Sequence, residues 1–145
     1  MAMSYGNVYV AQIAIGADMN QAIKAISEAE QYNGPSLIIA YAPCISHGIK
    51  TGMGTSVKQQ KRAVEAGYWH LYRYNPRLKS EGENPFQLDS KPPKESYFGY
   101  ISSEIRFTQL QNVYPEQAEE LFSASERFAA ERYERYKKLA EYDVL

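Results

Sequence analysis

The chain has 145 residues and a formal net charge of −1, and its mass is 16.5 kDa, the size of one domain. Hydrophobic residues make up 44% and charged residues 23%, which excludes a wholly disordered chain and a polycation built for nucleic acid. Cys44 is the only cysteine and His47 and His70 are the only histidines, so an intrachain disulfide and a CxxC pair are excluded and a zinc site from this chain alone is not expected.

Val8 to Ile15 is almost continuously apolar and rich in β-branched residues, the pattern of a strand buried on both faces of a parallel sheet. Gly16 breaks it, and Asp18, with Gln21 three residues on, predicts a helix start. Met19, Ala22, Ile23, Ile26 and Ala29 then form an apolar stripe at helical spacing, and Asn33-Gly34-Pro35 stops it. Ser36 to Ala42 reads as a second apolar strand ended by Pro43. Strand, helix and strand in this order form a βαβ unit whose sheet is at least partly parallel.

Cys44 to Thr55 is a loop with three glycines. Ser56 and Gln59 resemble a capping box for a peripheral helix whose face carries Val57, Gln60, Lys61 and Val64, closed by Gly67. Trp69 to Tyr74 is a plausible third strand, halted by Asn75-Pro76. The prolines and glycine that follow predict a long irregular arm over residues 77–96, a binding loop or a segment laid across a partner. Residues 97–145 read as a helical tail behind an α/β core over residues 1–76. In the tail, Tyr97, Ile101 and Ile105 share one face, Asn112 to Tyr114 makes a break, and Pro115 opens a long helix packing through Leu121, Phe128, Tyr136 and Leu139. The longest apolar run, Leu37 to Ile45, is about half of what a membrane span needs, and Met1 to Gly16 carries no secretory pattern. No membrane is therefore expected, and the cytoplasm is the expected compartment.

Cys44 is placed just past the carboxyl end of a predicted parallel strand, the edge where open α/β sheets bind ligands. A packed small hydrophobe is the competing reading of a lone cysteine. His47 could pair with Cys44 as base with nucleophile, but no third orienting group is evident, and a solvated loop histidine is the simpler reading. Gly52-Met53-Gly54 could cradle a phosphate ahead of the helix, yet it lacks the Gly-Lys-Ser/Thr ending of a P-loop. Lys50 to Lys79 holds seven basic residues and one acid, a region able to attract an anionic cofactor or an acidic protein, or simply a solvated face.

Several blocks in the same order and spacing resemble pyruvate:ferredoxin (flavodoxin) oxidoreductase. They are Gly6-Asn7-Val8-Tyr9-Val10-Ala11, Gly34-Pro35-Ser36-Leu37-Ile38-Ile39-Ala40-Tyr41, Pro43-Cys44-Ile45 with His47-Gly48, Gly67-Tyr68-Trp69, Leu71-Tyr72-Arg73-Tyr74-Asn75-Pro76, and Asn84-Pro85-Phe86-Gln87-Leu88-Asp89-Ser90-Lys91. Enzymes of that family are far larger, so the resemblance implies a fragment: the C-terminal part of the domain that binds thiamin diphosphate. The implied fold is α/β, a partial thiamin diphosphate-binding fold of βαβ parallel sheet with flanking helices plus the helical tail.

The resemblance also implies a reaction: pyruvate is oxidatively decarboxylated with coenzyme A to acetyl-CoA and CO2. Thiamin diphosphate with magnesium and 4Fe-4S clusters serve as cofactors, and ferredoxin or flavodoxin accepts the electrons. Cys44 is then one of the thiolate ligands of the cluster nearest the thiamin. The family's other ligands for that cluster and its Gly-Asp-Gly magnesium motif are absent from this sequence. The fragment alone is therefore expected to bind none of these cofactors and to be inactive, with no catalytic residue of its own. Its expected partner is the rest of its parent chain, homodimeric in the intact enzyme, and not nucleic acid. A related oxidoreductase acting on another 2-oxoacid and a stand-alone, non-catalytic α/β binding module are the alternatives.

Overall fold

The computed structural model describes residues 1–141. After a short 3-10 turn at Ala2–Tyr5, strand β1 (Tyr9–Ile13), helix α1 (Met19–Gln31) and strand β2 (Ser36–Ala40) build the expected unit. β1 and β2 are parallel, with Tyr9 opposite Ser36 and Ile13 opposite Ala40. Asp18 caps α1, its Oδ1 accepting the Gln21 backbone N–H at 2.9 Å. β1 is the buried centre of the sheet: Tyr9, Val10, Ala11 and Ile13 are at most 2% exposed. Such burial on both faces is what its run of apolar residues, interrupted only by Gln12, requires.

The sheet is mixed, in the order β2-β1-β3-β4. β3 (Tyr72–Tyr74) runs antiparallel to β1, and β4 (Phe86–Leu88) antiparallel to β3. The expectation of a few parallel strands therefore holds only for the β1–β2 pair. The reason lies in helix α2 (Ser56–Glu65), which sits at the carboxyl edge of β1. Gln60 Oε1 accepts the Gly16 N–H at 2.8 Å, and Trp69 Nε1 donates to the Ile13 carbonyl at 3.0 Å. A chain re-entering the sheet from that edge has to run back along β1.

Two expected faces are rotated. On α1 the buried positions are Gln21, Ala22 and Ala25, while Met19, Ile23 and Ile26 are exposed. On α2, Gln59 and Ala63 are buried and Val57 is exposed. Ser56 is already helical and makes no capping box, because Thr55 occupies the cap position without a side-chain bond to the helix and Gln59 points into the core instead. β2 is an edge strand, not sandwiched: Ile38 packs against the cluster of Tyr9, Ala11, Ile13, Ala22 and Ala25, while Leu37 and Ile39 are exposed.

The stretch expected to be irregular contains regular structure. Asn75 accepts from the Arg77 N–H at 3.1 Å and Pro76 takes the first turn of the one-turn helix α3 (Pro76–Ser80). β4 follows, with Phe86 buried opposite Tyr74. Asn84 Nδ2 donates to the carbonyls of Leu139 and Ala140 at 2.8 and 3.1 Å, so this stretch binds the tail of its own chain.

The tail holds α4 (Tyr97–Ile101), α5 (Ile105–Val113) and α6 (Pro115–Glu141), with Ser102–Glu104 separating the first two. Residues 142–145, the last of the expected tail, lie outside the described residues. α6 buries Ala118, Phe122, Ala129 and Tyr133, and Leu121 and Phe128, expected on the packing side, are 55% and 57% exposed. Tyr136 and Leu139 do pack as expected, against the cluster of Val10, Tyr72, Tyr74 and Phe86. His70, 1% exposed, lies between Tyr133 and Tyr136. Burial, helped by the Arg132 charge, pushes its pKa down to about 4 and keeps the ring neutral.

Candidate functional site

Parallel pairing brings the carboxyl ends of β1 and β2 to one edge. Tyr41 extends the ladder past β2, its N–H donating to the Ile13 carbonyl at 3.0 Å, and Pro43, with no N–H to give, ends it. Cys44 follows at once and is partly exposed, not packed in the core. The chain then turns, with the Gly48 N–H donating to the Cys44 carbonyl at 2.9 Å. Gly48 takes φ +79°, which suits glycine.

This turn brings His47 back onto the thiol, with Nδ1 at 3.1 Å from Sγ. The hydrogen bond from His47, with backbone contacts from His47 and Ser46, pulls the Cys44 pKa down to about 7. The shift favours thiolate, the form that binds soft metals and attacks electrophiles. The structure thus unites the two residues that the sequence could place only three apart.

The rest of the loop is anchored. Ile49 pairs with Glu104 in an isolated antiparallel bridge. Lys50 N–H donates to the Ser103 carbonyl at 3.0 Å and Ile105 N–H to the Gly48 carbonyl at 3.3 Å. Gly52-Met53-Gly54 leads into a 3-10 turn closed on itself, since Thr55 gives both its N–H and its hydroxyl to the Gly52 carbonyl, at 3.1 and 2.8 Å.

Beneath the loop lies a polar cluster. The Glu104 side chain is fully buried and its Oε1 accepts from Gln59 Nε2 at 3.0 Å. The hydroxyls of Tyr41 and Tyr100 bond each other and reach the same oxygen at 3.5 and 3.4 Å. Glu104 Oε2 faces Arg106 Nε at 3.4 Å as an ion pair without hydrogen-bond alignment. Burial pushes the Tyr41 hydroxyl up to about 12 and raises Tyr100 further, so both hydroxyls stay protonated and donate. Nothing in the sequence singled out Glu104: a glutamate between a serine and an isoleucine reads as a solvated side chain, and only the bridge to Ile49 reveals its burial.

The basic region from Lys50 to Lys79 is partly neutralised by acids from elsewhere. Arg62 pairs with Glu95 at 3.6 Å, Arg77 with Glu81 at 2.9 Å, and buried Arg73 with Glu28 and Asp89 at 2.6 and 2.9 Å. Among the described residues no group of three or more His, Cys, Asp or Glu could hold a metal ion. Cys44 by itself offers one soft thiolate donor. No helix among the described residues is long and apolar enough to cross a membrane.

Fold and site together define an α/β sheet segment that presents one activated thiol at the carboxyl edge of its parallel strands. Over nearly its whole length the chain is similar to one segment of the pyruvate:flavodoxin and pyruvate:ferredoxin oxidoreductases. It is 60% identical over 140 residues to the pyruvate-flavodoxin oxidoreductase of Enterobacter agglomerans and 59% identical over 141 residues to the pyruvate:ferredoxin oxidoreductase of Moorella thermoacetica. In each case 97% of this chain is matched and only 12% of the relative. The mitochondrial pyruvate dehydrogenase [NADP(+)] of Euglena gracilis is 48% identical over 141 residues, 8% of its length. No protein-family model matches the chain.

Proposed function

We propose that the chain is a segment of a pyruvate oxidoreductase in which Cys44 is one thiolate ligand of the iron–sulfur cluster nearest the thiamin diphosphate. The parent decarboxylates pyruvate with coenzyme A to acetyl-CoA and CO2, and its electrons leave for ferredoxin or flavodoxin. Such a cluster carries electrons one at a time. This segment's share of the work is to hold Cys44 as a thiolate at the strand edge, with His47 Nδ1 stabilising the deprotonated sulfur. The observation that carries the reading is the 60% identity along 97% of the chain to a pyruvate-flavodoxin oxidoreductase, together with the partly exposed thiol at the carboxyl edge of the parallel strands. The Euglena relative, named for NADP(+), contains the same segment, which supports a role in a step common to enzymes with different final acceptors.

The open edge of β2 and the exposed Ile23, Ile26, Leu37 and Ile39 favour a piece that packs against more of its parent over a free-standing module. The segment alone is inactive in this reading, because thiamin diphosphate, magnesium and the remaining cluster ligands are held by the rest of the parent chain.

The test is Cys44→Ser in the full-length oxidoreductase. Serine is nearly isosteric, but its oxygen is a harder and more basic ligand than thiolate. Iron content and the cluster's electron-paramagnetic signal should fall and reduction of ferredoxin should slow, with the fold retained. Unchanged iron and unchanged reduction would refute the assignment.

A further inference from the structure

The geometry points to Glu104 as the positioning residue for Cys44: its buried carboxylate locks together the two flanks of the turn that presents the thiol. This rests on the reading of Cys44 as a cluster ligand. On the leading flank, Tyr41 stands three residues before Cys44, and its hydroxyl bonds Tyr100 and reaches Glu104 Oε1. On the trailing flank, Gly48, Ile49 and Lys50 are held to Ser103, Glu104 and Ile105 by backbone pairing. Gln59 then ties both to helix α2, with Nε2 donating to Glu104 Oε1 at 3.0 Å and to Ser103 Oγ at 2.8 Å. The thiol is partly exposed and His47, its side-chain partner, is exposed too, so the buried support for the turn lies behind it, in this cluster.

The cluster needs a carboxylate. One oxygen receives the Gln59 amide and one proton from the bonded Tyr41–Tyr100 hydroxyl pair, while the other faces the Arg106 cation. A glutamine could keep the first role but would direct an N–H₂ group or a neutral oxygen at Arg106, losing the charge pair. An alanine would leave one Gln59 N–H and one hydroxyl of the Tyr41–Tyr100 pair without an acceptor in a buried site. Outer-shell groups of this kind set ligand orientation in metal centres, and their loss costs about 10–100-fold in metal retention or activity.

The experiment uses the full-length oxidoreductase with Glu104→Ala, Glu104→Gln, Cys44→Ser and, as a control of comparable destabilisation, Asp89→Asn. Asp89 supports a different part of the fold through Arg73. The readouts are the rate of iron loss to a chelator and the electron-paramagnetic spectrum of the reduced clusters. Glu104→Ala should lose the cluster nearest the thiamin about 10–100-fold faster, with its spectrum altered. Glu104→Gln, which preserves shape and carries the test if the alanine variant does not fold, should fall between it and wild type. Asp89→Asn should leave both readouts at wild-type values. Equal cluster loss in Asp89→Asn and the Glu104 variants, or wild-type behaviour in both Glu104 variants beside an altered Cys44→Ser, would overturn the positioning role alone. Wild-type iron and spectrum in Cys44→Ser would instead overturn the ligand reading on which it rests.

Discussion

Arg73 and Asp89 meet through two parallel hydrogen bonds, Nε to Oδ2 and Nη2 to Oδ1, each 2.9 Å long. The fork geometry matches guanidinium to carboxylate, and Arg73 Nη1 also reaches Glu28 at 2.6 Å, joining β3 to helix α1. Gln21, from the first turn of α1, donates to the same Asp89 oxygen at 2.9 Å. Only 7% of the Arg73 side chain is exposed, so removing it leaves two partly buried carboxylates without their cation. Arg73→Leu should cost about 3–5 kcal/mol, read by urea unfolding. Arg73→Lys should recover only part of this, because an ammonium cannot make the two-pronged contact. A loss below 1 kcal/mol, roughly that of an exposed pair, would show that the network is solvated.

Helix α6 offers a contrast between neighbours. Phe122 is 8% exposed and meets Phe107 edge-on at a centroid distance of 6.0 Å, while Leu121 is 55% exposed. Phe122→Ala should destabilise the chain by about 3–5 kcal/mol and Leu121→Ala by no more than about 0.5 kcal/mol. Thermal unfolding of the two variants side by side decides it; equal losses would mean that α6 is rotated about its axis.

His70 gives the fold an acid limit. Its ordinary pKa of 6.5 falls to about 4 in the folded chain. The unfolded chain therefore takes up a proton as the pH drops through 6.5, while the folded chain resists until about 4. The stability is intact above the unfolded value and is lost as pH falls toward the folded one, by about 3 kcal/mol from this residue. His70→Phe preserves ring contact with Tyr133 and Tyr136 and removes the proton site. The difference in unfolding free energy between wild type and variant should shift in the variant's favour by that amount from pH 7 to pH 4. A pH-independent difference would show that His70 is hydrated in the fold.

Gly67 ends α2 at φ +71°, and a Cβ there would lie 2.7 Å from Pro93 Cγ. Gly67→Ala thus meets both backbone strain and a collision with the segment leading into α4. Gly82 has φ +77° with nothing within 4 Å of the added carbon. Gly82→Ala should cost about 1–2 kcal/mol from the backbone alone, and Gly67→Ala distinctly more. Melting temperatures of the two variants report the difference directly, and equal shifts would mean that Pro93 yields freely.

Local signals were legible in the sequence and distant ones were not. The Asp18 cap and the Asn75-Pro76 start are bonds within a few residues, so composition and spacing announce them. The buried face of α6 is not local. Its apolar side chains fall on both sides of the helix, and the positions of α4 and α5 select Phe122 over Leu121. β4 is three residues long between prolines and becomes a strand because β3 offers it a ladder. The βαβ pattern puts Cys44 just past the second strand, where the structure also has it, and the family resemblance implies a ligand role. Glu104 remained hidden, since its burial arises from pairing with Ile49 across more than fifty positions of sequence.

The unpartnered edge of β2 decides how the isolated segment would fail in solution. Leu37-Ile38-Ile39-Ala40 is a short, uncharged, β-prone run whose outer backbone groups have no strand beside them in the sheet. Such a run templates further strands while fully native. The folded form, not the denatured one, is then the species that self-associates. Raising global stability would leave precipitation untouched, whereas a single lysine in place of Leu37 would raise the solubility ceiling without moving the melting point far.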